Sequence, residues 1–242
     1  MLSKYLPIFI LLSIISEILG TVGGFGSSVF FVPVANFFLD FQSVLGITAL
    51  FHLSSNITKI VFFKKGFDKK IALNLGVPAI LFVSIGAYFS SYFSPIILTY
   101  ILGFFLVVLS LVFLIFKQLK VHATKTNAII GGSLSGLSAG LLGTGGAIRG
   151  ITLAAFKLNK NTFIATSAVI DLGVDLSRTI VYYFNGYMHY EHLYLVLILI
   201  IVSIIGTYIG KKILNKISQD QFQKIVLVLI LFVGILSILF NK

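Results

Sequence analysis

Two sets of polar residues stand at matching spacing inside otherwise apolar sequence. Asp171, Asp175 and Arg178 fall in "TSAVIDLGVDLSRTIVYY" (166–183), at positions i, i+4 and i+7. That spacing puts all three on one helix face. His52, Asn56 and Lys59 repeat it in "TALFHLSSNITKIVFF" (48–63). A charge at the centre of a membrane helix costs about 2.5–3.5 kcal/mol, so such a face turns toward protein or water, away from lipid. Lys59 and Arg178 are then natural partners for an anionic solute, with Asn56 as a polar contact. Asp171 and Asp175 can pair with Arg178 or take up protons, which makes both candidates for proton coupling. Two plainer roles compete. Lys59 and Arg178 lie close enough to segment ends to snorkel toward the interface, and Asp175 with Arg178 can form a purely structural pair.

The second chemical feature is backbone. "GTVGGFGSSVF" (20–30) and "GLLGTGGAIRG" (140–150) interrupt apolar helix with glycine. Gly23, Gly24 and Gly26, and likewise Gly143, Gly145 and Gly146, fall between two helical pieces. A helix that starts after such a break points unpaired N–H groups at the gap, and that end favours anions. Lipid cannot satisfy an open backbone, so the breaks must face protein or a wet cavity. The glycines are therefore expected to form an anion cradle, with a tight ligand-free turn as the alternative. Gly132, Gly136 and Gly140 share one helix face, as do Ser16, Gly20 and Gly24, and small residues at this spacing let helices approach closely. Glu17 either faces the cavity or serves packing. Arg149 either anchors the interface or touches solute.

These residues need elements that hold them inside a bilayer. Of 242 residues, 58% are hydrophobic and 10% charged, against about 25% charged in soluble domains. The chain reads as an all-α polytopic membrane protein. The formal charge of +11 sits largely in short loops, where it marks topology rather than a nucleic-acid partner. The second half overlays the first. Ser16 meets Gly136, Gly20 meets Gly140, and Gly26 meets Gly146; after one loop, Thr48 meets Ser167, His52 meets Asp171, Asn56 meets Asp175 and Lys59 meets Arg178. The chain thus divides into a first membrane repeat, 1–120, and a second, 121–242. Each repeat contributes a Gly-broken pair (5–19 with 24–38; 128–142 with 145–156) followed by three longer segments (43–63, 71–91 and 96–116; 162–183, 190–210 and 221–240). Pieces of about 15 residues reach about 22 Å, short of the roughly 30 Å hydrocarbon layer, so each pair is expected to dip in and return, or to cross only with help from its neighbours. Basic loops at 64–70, 117–125, 157–160 and 211–216, and loops at 39–43, 90–95 and 185–192 without Lys or Arg, predict two inverted-topology repeats with both termini outside. The N-terminus reads as a retained first helix rather than a signal peptide.

Other chemistries lack their residues. With no cysteine, thiol catalysis and Cys-based metal sites are excluded. There is no H-E-x-x-H and no Walker loop, and neither a metal nor a cofactor is expected. "GLSAG" (136–140) fits G-x-S-x-G formally, but Ser138 sits in an apolar helix rather than at a strand-to-helix turn, so no catalytic residue is assigned. His189 and His192 read as solvated loop residues.

The two stretches "GTVGGFGSSVFFVPVANFF" and "GGSLSGLSAGLLGTGGAIRG", each followed by its polar-faced helix, resemble the TauE/SafE family of sulfite and organosulfur-anion exporters. The family pattern often has a fuller glycine run followed by proline. Here Pro33 follows the first run, and Leu153 takes that place in the second. The resemblance implies a cell-membrane permease for sulfite, a sulfonate, sulfoacetate or a related small anion, dependent on the proton gradient. The expected function is a proton-coupled secondary transporter of such an anion, with the lipid bilayer as surroundings and a homodimer left open. A passive anion channel of the same fold and a non-transporting membrane scaffold are the alternatives.

Overall fold

The computed structural model describes residues 2–24, 26–63, 66–115, 121–216, 228, 231–232 and 234–239. Most of the predicted segment 221–240 lies outside the described residues, as do Lys64, Lys65, Lys117, Lys120 and Lys242. The described elements are helical: α1 (Leu2–Gly23), α2 (Ser28–Asn36), α3 (Phe41–Phe62), α4 (Lys69–Ser90), α5 (Pro95–Ile115), α6 (Lys125–Leu142), α7 (Gly146–Ala154), α8 (Lys160–Phe184) and, after a 3-10 turn at Tyr190–His192, α9 (Leu193–Leu214). Residues 234–239 are also helical. Among the described residues, five helices are long and apolar enough to cross a membrane: α1, α3, α4, α5 and α9. The 25-residue α8 has the length, but it carries Asp171, Asp175 and Arg178. It packs against α3 and α4, and its three charges are on the buried face, where they meet protein instead of lipid.

Side-chain caps set the starts of four helices. Asp40 accepts from Ser43 N–H and Asn159 from Thr162 N–H; Asp68 accepts from Ile71 N–H and Thr124 from Asn127 N–H. Each satisfies one of the N–H groups a helix start leaves open. The Asp40 and Asn159 caps stand at repeat-equivalent positions, directly ahead of the two polar-faced helices α3 and α8.

The broken pairs differ from the expected equal short pieces. Each is a long helix followed by a short one: α1 has 22 residues and α2 nine, while α6 has 18 and α7 nine. At 1.5 Å per residue α1 is about 33 Å long and α2 about 13 Å. The helix continues through Gly20 because that glycine packs against the backbone of Gly26 and Ser27, where a side chain would not fit. The break comes only at Gly24 and Gly26, both at positive φ. In the second pair Gly143, at φ +75°, ends α6 in the left-handed conformation.

Packing pairs each long helix of one half with a helix of the other. α1 lies along α9 and α6 along α4; α3 crosses α8 between them, flanked by α9 and α4 respectively. Gly206 packs on Glu17 and Gly210 on Thr21, so α1 and α9 run in the same direction. Gly132, Gly136 and Gly140 pack on the carbonyls of Leu75, Ala79 and Val83, so α6 and α4 do too. The small-residue face of α6 is thus a close helix contact, as its spacing predicts. One end of the molecule gathers Lys211, whose Nζ donates to Phe62 O at 2.6 Å, and Lys160, which donates to Leu214 O. The other end joins Asn185 to Ala87 O, and Ser90 to the Tyr187 hydroxyl.

Candidate functional site

The centre of the molecule holds three ion pairs and one histidine, all buried. α1 contributes Glu17, α3 His52, Asn56 and Lys59, α7 Arg149, and α8 Asp171, Asp175 and Arg178. Glu17 is fully buried, Arg178 is 1% exposed and Asp171 9%. Each charge lies on a helix whose other faces are apolar, so the helix faces the charge inward to avoid lipid.

The first pair is Glu17–Lys59. Lys59 Nζ stands 2.8 Å from Glu17 Oε1 and donates to Ser55 Oγ at 2.6 Å. The Glu17 carboxylate accepts from Ser55, Ser27, Thr207 and Thr21 as well. A carboxylate has about four lone-pair sites, so Glu17 is fully engaged. Lys59 is buried rather than snorkelled, because its partner sits inside the protein. Glu17 was not among the sequence-predicted site residues. Its signal was an ionised residue in the middle of a first helix, on the face that carries Thr21 one turn later.

The second pair is Arg178–Asp175, with Nη2 at 2.7 Å from Oδ1. Arg178 Nη1 donates to Gly143 O at 2.8 Å and to Ala139 O at 3.3 Å, and the Tyr182 hydroxyl donates to Gly140 O at 2.6 Å. These donors satisfy carbonyls that the end of α6 leaves open. Gly143 faces Leu45 and Val32, and Gly145 packs on Ser135 O, where Ser135 Oγ donates to Gly145 O. Gly146 opens α7 as a buried residue. The second break is therefore a closed turn pinned by Arg178. Among the described residues, Thr144 Oγ1 and Arg178 Nε are buried without a hydrogen-bond partner.

The third pair is Arg149–Asp171. Arg149 Nη1 meets Asp171 Oδ1, and Arg149 Nε donates to Ser167 Oγ at 2.9 Å. Arg149 is 2% exposed, so it is held inside the protein and does not anchor the interface. Its Nη2 lies 3.5 Å from where a side chain on Gly26 would begin, with Asp171 Oδ2 at 3.9 Å. An arginine of the second half thus fills the neighbourhood of the first half's break. Ser27, the N-cap residue just ahead of α2, makes no side-chain cap bond to that helix. Its hydroxyl donates instead to Glu17 at 2.6 Å.

Polar contacts link the three pairs. Ser27 Oγ is 3.0 Å from His52 Nε2. The serine's one proton goes to Glu17, so His52 Nε2 is the donor to Ser27. His52 Nδ1 faces Asp175 Oδ2 at 3.9 Å, and Asn56 Nδ2 donates to the same oxygen at 2.6 Å. Asn56 and Asp175 stand at matching positions of the two halves, and this bond joins α3 to α8.

A narrow cavity opens beside this network, lined by Gly20, Thr21, Gly24, Gly26, Asn56, Lys59, Ile164, Ser167, Ala168 and Asp171. It offers about 10 Å³ for water centres, roughly room for one water. Of the predicted site residues, Gly24, Gly26, Asn56, Lys59 and Asp171 reach it. Asp175 and Arg178 stand behind Asn56. Gly23 closes α1 one residue before the break. Gly143, Gly145 and Gly146 are packed away from the cavity.

The family model described as sulfite exporter TauE/SafE matches residues 9–237. No curated protein and no solved structure matches the chain. The match takes in both glycine breaks, both polar-faced helices and the helices that enclose them, and by it the chain belongs to the TauE/SafE family of sulfite exporters, membrane transporters.

Proposed function

We propose that the protein is a proton-coupled secondary transporter in the cell membrane, exporting sulfite or a related small organosulfur anion. The observation that carries this reading is the cluster of three cations and three carboxylates, buried beside a cavity where one helix is broken. A scaffold has no use for such a cluster, because each charge costs stability in a membrane interior. With three charges of each sign the site is neutral when His52 is neutral. An anion entering it alone leaves uncompensated charge in a dry environment, so a proton entering with it lowers the cost. Asp171 and Asp175 are the proton-coupling candidates. The cavity is too small for sulfite, which makes this conformation a closed one of an alternating-access cycle.

The two halves act as inverted repeats. Exchanging α1–α4 with α6–α9 maps the helix pairing onto itself. Gly206 on Glu17 has its counterpart in Gly86 on Leu137, each member 120 positions from its equivalent. The parallel courses of α1 with α9 and of α6 with α4 support a topology in which each broken pair starts and returns on its own side, the two pairs on opposite sides. The basic end faces the cytoplasm and both termini lie outside.

The test is sulfite flux in proteoliposomes. Sulfite accumulation that follows an imposed pH gradient at zero membrane potential supports the exporter. Flux that follows the anion's electrochemical gradient and ignores pH makes the protein a channel, and no flux of sulfite, sulfoacetate or taurine makes it a scaffold.

A further inference from the structure

We propose that Arg149 is the cation that receives the transported anion, and that the Asp171 carboxylate is its resident internal competitor, displaced when the anion binds. This rests on the transport reading above and names the binding residue within it.

The three buried cations are not equivalent. Lys59 is held by Glu17, a carboxylate with further hydroxyl donors around it and no exposed surface. Arg178 is spent on the last carbonyls of α6 and on Asp175; moving it would uncap that helix. Among the described residues, the Arg149 side chain is bound to groups at the cavity. Its partners are Asp171 and Ser167, and both line the cavity wall. Asp171 has the most exposed side chain of the six paired charges, 12% against 7% or less for the other five. Its carboxylate sits where Arg149 would present a planar fork to a ligand oxyanion, and carboxylate and sulfite or sulfonate oxygens bind such a fork alike. Gly26 keeps the space in front of Arg149 Nη2 clear, since a side chain there would begin 3.5 Å away. Ser167 is a hydroxyl within reach of the same guest.

The exchange also accounts for proton movement. When the anion takes the guanidinium, Asp171 loses its counter-charge. The groups that act on Asp171 are Arg149 from α7, Lys59 from α3, and Arg178 and Asp175 from its own helix; His52 from α3 stands next to Asp175, and Glu17 from α1 neutralises Lys59. Lys59 and Arg178 keep their own partners, so the freed Asp171 carboxylate takes one proton from cavity water and becomes a neutral acid. One anion and one proton then enter together and the site's charge is unchanged. On release the acid returns its proton to water and the carboxylate rebinds Arg149.

The experiment is isothermal titration of the detergent-purified full chain with sulfite and with methanesulfonate, a monoanion throughout the neutral range. Each is run in two buffers of different ionisation enthalpy so that protons are counted. The wild type is expected to take up about one proton per methanesulfonate. Asp171→Asn, which removes the competitor, is expected to bind at least ~10-fold tighter with no proton uptake. Arg149→Gln with Asp171→Asn removes both charges together, so it folds, and it is expected to lose binding; its folding is checked by thermal unfolding. Unchanged or weaker binding in Asp171→Asn, or retained affinity in the double variant, overturns the assignment while leaving the transporter intact. A wild type that binds neither anion overturns the assignment and the transport reading together.

Discussion

At the level of single residues, similar chemistry serves different purposes in the two halves. Lys59 and Arg178 occupy equivalent positions, yet Lys59 faces a carboxylate from α1 while Arg178 reaches the open carbonyls of α6. The difference follows from the partner helix: position 17 is Glu and its equivalent, position 137, is Leu. Removing one member of a buried pair leaves an uncompensated charge, costing about 3–5 kcal/mol. Arg178→Ala is therefore expected to lower stability by about that amount in denaturant unfolding of the purified protein, and an unchanged midpoint would show that Arg178 does not pin the second break. Glu17→Ala should cost a similar amount, and most of it should return in Glu17→Ala with Lys59→Met, where no charge is stranded. A double variant no more stable than the single one would separate Glu17 from Lys59. The polar positions were legible in the sequence, because charged residues stand out in apolar helix. Their partners were not: Arg149 with Asp171 and Glu17 with Lys59 are set by how separate helices pack, and only Asp175 and Arg178 lie on one helix.

At the level of elements, glycine does two jobs that look alike in sequence. On α6, Gly136 faces the Ala79 carbonyl, and its role is close approach. An added methyl there meets backbone, which has little room to yield, so Gly136→Ala is expected to cost about 1–3 kcal/mol. Ser138, two residues on, is partly exposed and donates only to Ser135 O within its own helix. Ser138→Ala should leave both thermal stability and sulfite flux near wild type, and a large loss of flux would reopen the G-x-S-x-G motif as a catalytic one. Gly24, Gly26 and Gly143 instead adopt positive φ at the breaks, where the chain must turn. The existence of the breaks was readable from glycine density. The lengths of the pieces were not, because glycine's helix penalty of about 1 kcal/mol is offset where a neighbouring backbone needs the space, as at Gly20.

At the level of the whole molecule, the pairing of α1 with α9 and α4 with α6 locks each half to the other, so neither half is enclosed alone. Any rearrangement that opens the cavity must move α1–α2 and α9 relative to α3 and α8, or the equivalent set across the midline. The proposed orientation has a direct test, helped by the absence of native cysteine. A cysteine in place of exposed His189 should react with an impermeant maleimide on intact cells. One in place of exposed Lys125 should react only after the membrane is opened. The reverse pattern would invert the topology.

Composition and periodicity by themselves determined that this chain is a helical membrane protein, twice interrupted by glycine, with polar residues at matching positions of its two halves on one face of α3 and α8. Those properties are local or arise from comparing the chain with itself, and apolar length and residue spacing record them directly. Only the tertiary structure decided which carboxylate neutralises which cation, that the second break is closed by Arg178, and that Arg149 crosses to the first. Ion pairing between helices depends on distances of a few ångströms that their packing sets, and spacing along the chain does not encode those distances.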